Sequence, residues 1–164
     1  MKMKKVLVIA NPRKERALQL AEEAKQKLEG NCEVLLDSSI ESLEGQSADF
    51  AVVFGGDGTV LNTVRRLGEN QIPLITVNLG RLGFLAEVPP EGLWKMLERA
   101  VAGCWRISER MMLDIEVKRQ GELLWSGRAL NEAAFLASGR GRLCHLSLEV
   151  DGAHIADLSG DGVI

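Results

Sequence analysis

Short apolar runs alternate with amphipathic helical patterns through residues 1–102, and this alternation constrains the fold more than any other feature of the chain. The runs KKVLVIA, CEVLLD, DFAVVF and IPLITV are typical of buried strands. Strands that alternate with helices predict βαβ units, so we expect a Rossmann-like α/β domain with a mostly parallel sheet. Three other stretches place apolar residues on one helical face: Ala17, Leu20, Ala21, Ala24 and Leu28; Val60, Leu61, Val64 and Leu67; Leu93, Trp94, Leu97, Ala100 and Val101.

The pattern changes after residue 102. From residue 103 onward, strand-like runs surround turn signals, and no convincing helical pattern occurs. RQGE at 119–122 and Asp151-Gly152 are signals for hairpin turns. Residues 103–164 therefore predict the first part of an all-β domain. Because Val163 and Ile164 resemble the beginning of a strand, we expect the chain to be the front part of a longer protein.

Composition excludes several classes of function. The 164 residues are 46% hydrophobic and 26% charged, which is typical of a soluble globular protein. A formal net charge of −3 provides no broad attraction for nucleic acid or anionic membranes, so we expect neither as a partner. Cys32, Cys104 and Cys144 are far apart and form no CxxC pair, which indicates a reduced, cytoplasmic chain without a disulfide framework or a zinc site.

The segment FGGDGT at 54–59 lies where a buried strand is expected to turn into a helix. Glycines at such a turn let phosphate oxygens approach the main chain, and the helix start adds partial positive charge. Asp57 does not suit a simple phosphate site, because two anions in contact repel. It does suit a group that accepts a proton from an attacking hydroxyl or binds a metal carried by phosphates. The alternative is that Asp57 only caps its helix.

Four segments together resemble one family. GGDGT resembles a motif shared by NAD kinases, diacylglycerol and sphingosine kinases and, more loosely, 6-phosphofructokinases. VNLGRLGFL at 77–85, ERMML at 109–113 and LNEAAF at 130–135 resemble NAD kinase segments in order and spacing. The resemblance covers nearly the whole chain, which ends just ahead of the family's Thr-Gly-Ser-Thr-rich segment.

The resemblance implies phosphoryl transfer from ATP or polyphosphate to the adenosine ribose 2′-hydroxyl of NAD, giving NADP. Residues 1–102 would be the nucleotide-binding domain, and 103–164 the start of an NAD-binding all-β domain. Mg²⁺ would accompany ATP, and the protein would form homodimers or homotetramers. Asp57 would be the catalytic base. The nucleotide-binding residues implied are Gly55, Gly56, Gly58, Thr59, Phe84, Asn131, Glu132, Arg142 and Asp161.

Local sequence leaves plainer interpretations open. Phe84, between Leu82 and Leu85, fits a core residue as well as a ring against adenine. Asn131 and Glu132 fit an exposed strand corner as well as a pair that grips the ribose hydroxyls. Arg142 and Asp161 fit solvated turns. Two other functions also stay open, namely a non-catalytic nucleotide-binding or interaction module and a relative of the diacylglycerol-type lipid kinases.

Overall fold

The computed structural model describes residues 3–80, 83–138 and 143–164. The chain divides into two compact units, Met1–Glu109 and Arg110–Ile164. The sequence pattern changes earlier, after residue 102, but Trp105 still packs in the first unit. Its ring meets Phe50 edge-on at 5.1 Å between centroids, and the Lys4 ammonium lies 5.4 Å from its centre.

The first unit is an α/β fold with a parallel sheet, as the sequence predicts. Its four strands are all parallel; the second strand along the chain lies at one edge, followed across the sheet by the first, third and fourth strands. A 3₁₀ turn, Pro90–Gly92, precedes the helix that begins at Leu93. The elements are β1 (Lys4–Ala10), α1 (Glu15–Leu28), β2 (Cys32–Asp37), β3 (Phe50–Gly55), α2 (Asp57–Leu67), β4 (Leu74–Asn78) and α3 (Leu93–Val101).

Both faces of this sheet are covered, which explains why its strands are apolar throughout. Every residue of β3 is buried, and the last five residues of β1 are buried as well. The apolar stripes of α1 and α3 pack on one face, against alternate residues of β1, β3 and β4. The intervening strand residues point to the opposite face. There α2 contributes Val60, Val64 and Leu67, all buried.

The strand order creates a switch point between β1 and β3. From β1 the chain moves outward to β2, and it then returns to place β3 on the other side of β1. The segments that follow β1 and β3 therefore diverge and leave a crevice at the carboxyl edge of the sheet. Open α/β sheets bind their ligands at this position.

The second unit contains only strands and turns among its described residues, 110–138 and 143–164. Gln120-Gly121 and Asp151-Gly152 turn two hairpins, and all four residues have the positive φ angles of type I′ turns. The prediction of an all-β fold after the α/β region is confirmed by these antiparallel strands. The strands are β5 (Met112–Arg119), β6 (Glu122–Leu130), β7 (Phe135–Leu136), β8 (Cys144–Val150), β9 (Ala153–Gly160) and β10 (Gly162–Val163), paired as β5-β6, β8-β9 and β7-β10.

Among the described residues, no helix has the length and apolar character required to cross a membrane.

Candidate functional site

Asp57 is the first residue of α2, and Gly56 occupies the N-cap position without a side-chain cap. The interpretation of Asp57 as a capping residue is therefore wrong. Its side chain instead reaches across to the segment that follows β4. Oδ2 accepts a hydrogen bond from the backbone N–H of Phe84 at 2.7 Å, and Oδ1 accepts from Leu85 at 3.1 Å and Ala86 at 3.0 Å.

These three hydrogen bonds from backbone amides hold the carboxylate in one orientation. Gly83 is necessary for the approach, because a Cβ at that position would lie 2.4 Å from the carboxylate oxygens of Asp57. The two residues lie far apart in sequence, yet the position of Asp57 requires a glycine at position 83.

The segment that holds Asp57 is itself anchored to β4. The Thr76 hydroxyl donates to the carbonyl of Leu85 at 2.7 Å and accepts from the N–H of Glu87 at 3.2 Å. Val88 donates to the carbonyl of Thr76 and accepts from Asn78. Because both ends are tied to β4, the amides offered to Asp57 are held in place.

Phe84 projects into solvent from this anchored segment and is 82% exposed. The core interpretation of Phe84 is therefore wrong. The backbone hydrogen bond from Phe84 to Asp57 holds the phenyl ring beside the carboxylate, where it is exposed to water. The ring therefore provides a flat apolar surface on which a planar base could stack.

The glycines of the GGDGT turn fall into two kinds. A Cβ at Gly55 would lie 2.1 Å from the Thr59 hydroxyl, so glycine there is required by packing within the chain. A Cβ at Gly56 or at Gly58 would meet nothing within 4 Å. A glycine inside a helix costs about 0.5–1 kcal/mol relative to alanine. The fold gives no steric reason for that cost at Gly58, which leaves space for a ligand beside the turn.

A cleft of about 220 Å³ opens at the switch point, on the side of the turn that faces β1. The Asn11 amide donates to the Thr59 hydroxyl at 3.3 Å and joins the segment after β1 to the first turn of α2. The residues that line the cleft are Ile9, Ala10, Asn11, Pro12, Arg13, Ser39, Ile40, Gly58, Thr59, Asn62, Thr63 and Arg66.

One wall of the cleft is fixed by a buried ion pair. The guanidinium of Arg66, in α2, donates to the Asp37 carboxylate at 2.7 Å and to the Ser39 hydroxyl at 3.2 Å. The backbone N–H of Leu43 donates to the carbonyl of Arg66. Together these bonds fasten the segment after β2 to α2.

Sequence reasoning missed the lining residues contributed by the segments after β1 and β2. The available signal was Asn11-Pro12, a turn dipeptide directly after the first predicted strand, where parallel sheets bind ligands. No local sequence pattern indicates the ion pair of Arg66 with Asp37.

Three predicted binding residues in the second unit are described. Asn131 follows the end of β6 with a φ of 86°, and both it and Glu132 are exposed. The carbonyl of Asp161 accepts a hydrogen bond from the N–H of Ala137 at 2.8 Å, beside the pairing of β7 with β10. Within this unit, Asp161 is therefore tied to the segment that follows Asn131 and Glu132. Arg142 lies outside the described residues.

The described residues include no cluster of three or more His, Cys, Asp or Glu side chains that could enclose a metal ion. Mg²⁺ is commonly held by one or two carboxylates together with substrate phosphates, and Asp57 is the carboxylate at this turn.

Comparison with known proteins gives a consistent family. Residues 36–104 match the model of the ATP-NAD kinase N-terminal domain. An NAD kinase of Azoarcus sp. is 43% identical over 130 residues, which are 78% of this chain and 44% of the relative. An NAD kinase of Citrifermentans bemidjiense is 36% identical over an alignment of 177 positions, covering 99% of this chain and 62% of the relative.

Solved structures agree. An NAD kinase from Archaeoglobus fulgidus in complex with ATP is 30% identical with a TM-score of 0.72, covering 98% of this chain and 59% of that one. Yeast NADH kinase complexed with NADH shares the fold, with a TM-score of 0.81 at 20% identity over 98% of this chain and 53% of that one. The chain thus spans roughly half the length of these relatives. It belongs to the NAD kinase family.

Proposed function

We propose that the full-length protein carrying this chain is an NAD kinase. It transfers a phosphoryl group from ATP or polyphosphate to the 2′-hydroxyl of the adenosine ribose of NAD and so forms NADP. The observation that carries the proposal is the arrangement of Asp57, a carboxylate held by three backbone amides beside the exposed ring of Phe84.

In the proposed reaction, Asp57 orients the 2′-hydroxyl and takes its proton. The ribose oxygen forms a bond to the terminal phosphorus, the bond from that phosphorus to its bridging oxygen breaks, and ADP leaves with the electron pair. A positioned base of this kind contributes about 10²–10⁴-fold to a rate. Positioning matters most, because phosphoryl transfer requires little covalent chemistry from the protein.

The other predicted residues have binding roles in this proposal. Phe84 stacks on the adenine, and its exposure supports that role. Gly56 and Gly58 leave room for the nucleotide beside the turn, as their empty Cβ positions indicate. Asn131 and Glu132 grip the ribose hydroxyls. Gly55, Thr59, Arg142 and Asp161 complete the predicted binding set, with Gly55 also required by packing against Thr59.

Mg²⁺ would arrive with the phosphates of ATP and neutralise charge on them, with Asp57, the carboxylate at the glycine turn, as a candidate protein ligand. We also propose that the protein works in the cytoplasm as a homodimer or homotetramer. The three separated cysteines support a reducing compartment, and sedimentation velocity of the purified protein would test the assembly.

The direct test is to incubate the purified full-length protein with Mg-ATP and NAD and to measure NADP with an NADP-specific dehydrogenase. We expect NADP to accumulate in proportion to enzyme. Parallel reactions with polyphosphate as donor, or NADH as acceptor, would define the range of substrates.

Two alternatives give different results in the same assay. A non-catalytic nucleotide-binding module would bind ATP or NAD by calorimetry and form no NADP. A lipid kinase would phosphorylate diacylglycerol in mixed micelles and leave NAD unchanged. Absence of NADP under saturating Mg-ATP and NAD would refute the proposed function.

A further inference from the structure

Thr76 places a hydroxyl group in the buried middle of β4, whose sequence is LITVN. Its neighbours Ile75 and Val77 belong to the apolar core that packs against α1 and α3. Because side chains alternate along a strand, Thr76 points to the opposite face. A buried hydroxyl is costly unless it forms hydrogen bonds, and valine would fill nearly the same space without that cost. Packing alone therefore does not account for threonine at this position.

The Thr76 hydroxyl forms two hydrogen bonds with one short segment. It donates to the carbonyl of Leu85 at 2.7 Å and accepts from the N–H of Glu87 at 3.2 Å. These two groups lie on either side of Ala86, so the hydroxyl holds that residue from both directions. The backbone of Val88 forms the next bonds to β4 along this segment. The hydroxyl thus extends the attachment of the segment to β4 from Val88 back to Leu85.

The peptide group between Leu85 and Ala86 joins Thr76 to Asp57. Its carbonyl accepts from the Thr76 hydroxyl, and its N–H donates to Asp57 Oδ1 at 3.0 Å. The carbonyl and the N–H of a planar trans peptide point in opposite directions, so the two bonds fix one rigid group from opposite ends. Hydrogen bonds in such a chain polarise one another, so removal of the first bond weakens the second.

We propose that Thr76 is a positioning residue, which holds the Leu85–Ala86 peptide group so that the Asp57 carboxylate faces the acceptor hydroxyl. The inference rests on the proposed function and deepens it by naming a residue that acts through the base. Thr76 is itself buried in β4 and touches neither substrate. Misplacement of a catalytic group by about 1 Å can cost about 10²-fold in rate, so the effect of the hydroxyl belongs in kcat.

Two pairs of proteins isolate the hydroxyl in the test. Wild type and Thr76→Val have β-branched side chains of similar shape, and Thr76→Ser and Thr76→Ala have smaller ones. Within each pair, the hydroxyl is the main difference. Ile75→Val is the matched control, because it removes one carbon from the neighbouring residue of β4 on the opposite face.

Two measurements are made on each full-length protein. Steady-state kinetics gives kcat, KM for ATP and KM for NAD separately. Hydrogen exchange, followed by mass spectrometry on peptides that cover residues 83–88, reports how firmly the segment is held without any turnover.

We expect Thr76→Val and Thr76→Ala each to lower kcat by about 10- to 100-fold, with KM for ATP within about twofold of wild type. Amides of residues 83–88 should exchange about 10-fold faster or more, because the segment opens more readily without the hydroxyl. Thr76→Ser should keep kcat within about threefold of wild type, since serine retains the hydroxyl but rotates more freely about χ1. Ile75→Val should change neither kcat nor this exchange.

Wild-type kcat in Thr76→Val and Thr76→Ala would overturn the inference. A rise in KM for NAD at unchanged kcat would also overturn it, because the hydroxyl would then act on the ring of Phe84 and not on Asp57. An equal fall in kcat for Thr76→Ser and Thr76→Ala would assign the effect to side-chain volume, with the same consequence.

Circular dichroism checks that each variant folds, and either pair decides the question if a member of the other pair does not fold. The exchange measurement separates this inference from the proposed function. If the wild type forms no NADP, yet Thr76→Val speeds exchange at residues 83–88 and Ile75→Val does not, the hold of Thr76 on the segment stands and the kinase proposal falls.

Discussion

The two units of this chain differ in how far their apolar residues are buried. In the first unit, β3 is buried from end to end between layers of helix. In the second, Leu123, Leu124 and Trp125 on β6 are more than half exposed, and most residues of β8 and β9 are exposed as well. A parallel sheet with both faces covered completes its core within these residues. Each strand of a two-stranded hairpin pairs with one neighbouring strand only, and the apolar faces of these hairpins are exposed to water.

This difference indicates which part of the molecule can hold site residues rigidly. Asp57 is held by amides on a segment that β4 fixes, and β4 lies in a closed core. Asn131 and Glu132 lie at the exposed end of a hairpin strand. We therefore expect substitutions in the first unit to have large and local effects, and equivalent substitutions in the second unit, outside the proposed binding residues, to have small ones.

The largest contrast should come from Asp57→Asn against Asp151→Asn, the same chemical change in the two units. Loss of the base should lower kcat by about 10²–10⁴-fold. An asparagine amide would also place donors against the N–H groups of the Phe84 segment, so we expect KM for NAD to rise as well. Asp151 is in an exposed turn with positive φ that asparagine accepts, so Asp151→Asn should leave kcat unchanged.

Kinetics of both variants in the full-length protein would check this. If Asp57→Asn lowered affinity for NAD and left kcat unchanged, Asp57 would be a positioning residue for Phe84 and not a base.

The next contrast concerns stability. Phe54 is fully buried in β3, and Phe135 in β7 is 54% exposed. Phe54→Ala should lower the free energy of unfolding by about 3–5 kcal/mol, because it removes buried area and leaves a cavity. Phe135→Ala should cost less than about 1 kcal/mol. Urea unfolding of the two variants measures both values, and comparable losses would mean that Phe135 is covered in solution.

A smaller contrast lies within the GGDGT turn. Gly55→Ala forces a methyl group into the Thr59 side chain and should cost about 1–3 kcal/mol of stability. Gly58→Ala meets no atom of the chain and should gain up to about 1 kcal/mol through helix propensity, while KM for ATP rises. Thermal melting and kinetics together separate a packing glycine from a ligand glycine. A Gly58→Ala protein with unchanged KM values would show that no ligand reaches that position.

The smallest contrast uses the cysteines and pH. Burial raises the pKa of the Cys32 thiol above its ordinary value, although the charge of Lys4 opposes the shift. The unfolded chain therefore loses the thiol proton at a lower pH than the folded chain. The contribution of the neutral thiol to the free energy of unfolding is complete below an ordinary thiol pKa of ≈ 8.5, and it declines as pH rises above that value. Cys32→Ala should flatten that decline in urea titrations between pH 7.5 and 10.

Thiol labelling at pH 8 checks the same point without denaturant. In a Cys104→Ala background, half-buried Cys144 should react much faster than buried Cys32. Equal rates would mean that the first unit opens as readily as the second.

Local sequence predicted most of the first unit because its signals are short-range. The strands at Lys4–Ala10 and Cys32–Asp37 occur as their apolar runs predict, and the helical stripes coincide with the buried faces of α1, α2 and α3. Both hairpin turns of the second unit lie at the predicted Gly121 and Gly152, because glycine adopts positive φ without steric cost.

The same reasoning could not predict contacts between residues that are distant in sequence. Phe84 is exposed although its neighbours in sequence are apolar, since the bonds of its segment to Thr76 and Asp57 decide its direction. The pairing of Arg66 with Asp37 depends on how α2 crosses the end of β2. Arg13 lines the cleft because β1 ends beside the turn after β3.

Local sequence signals were sufficient to predict the kinds of elements, their order, and the glycine turn with its carboxylate, because backbone preference and apolar periodicity act over a few residues. The contacts of the carboxylate, the glycines that leave open space and the residues that line the cleft became evident only in the folded structure. Those properties depend on the strand order, which brings the ends of β1, β3 and β4 together at one edge of the sheet.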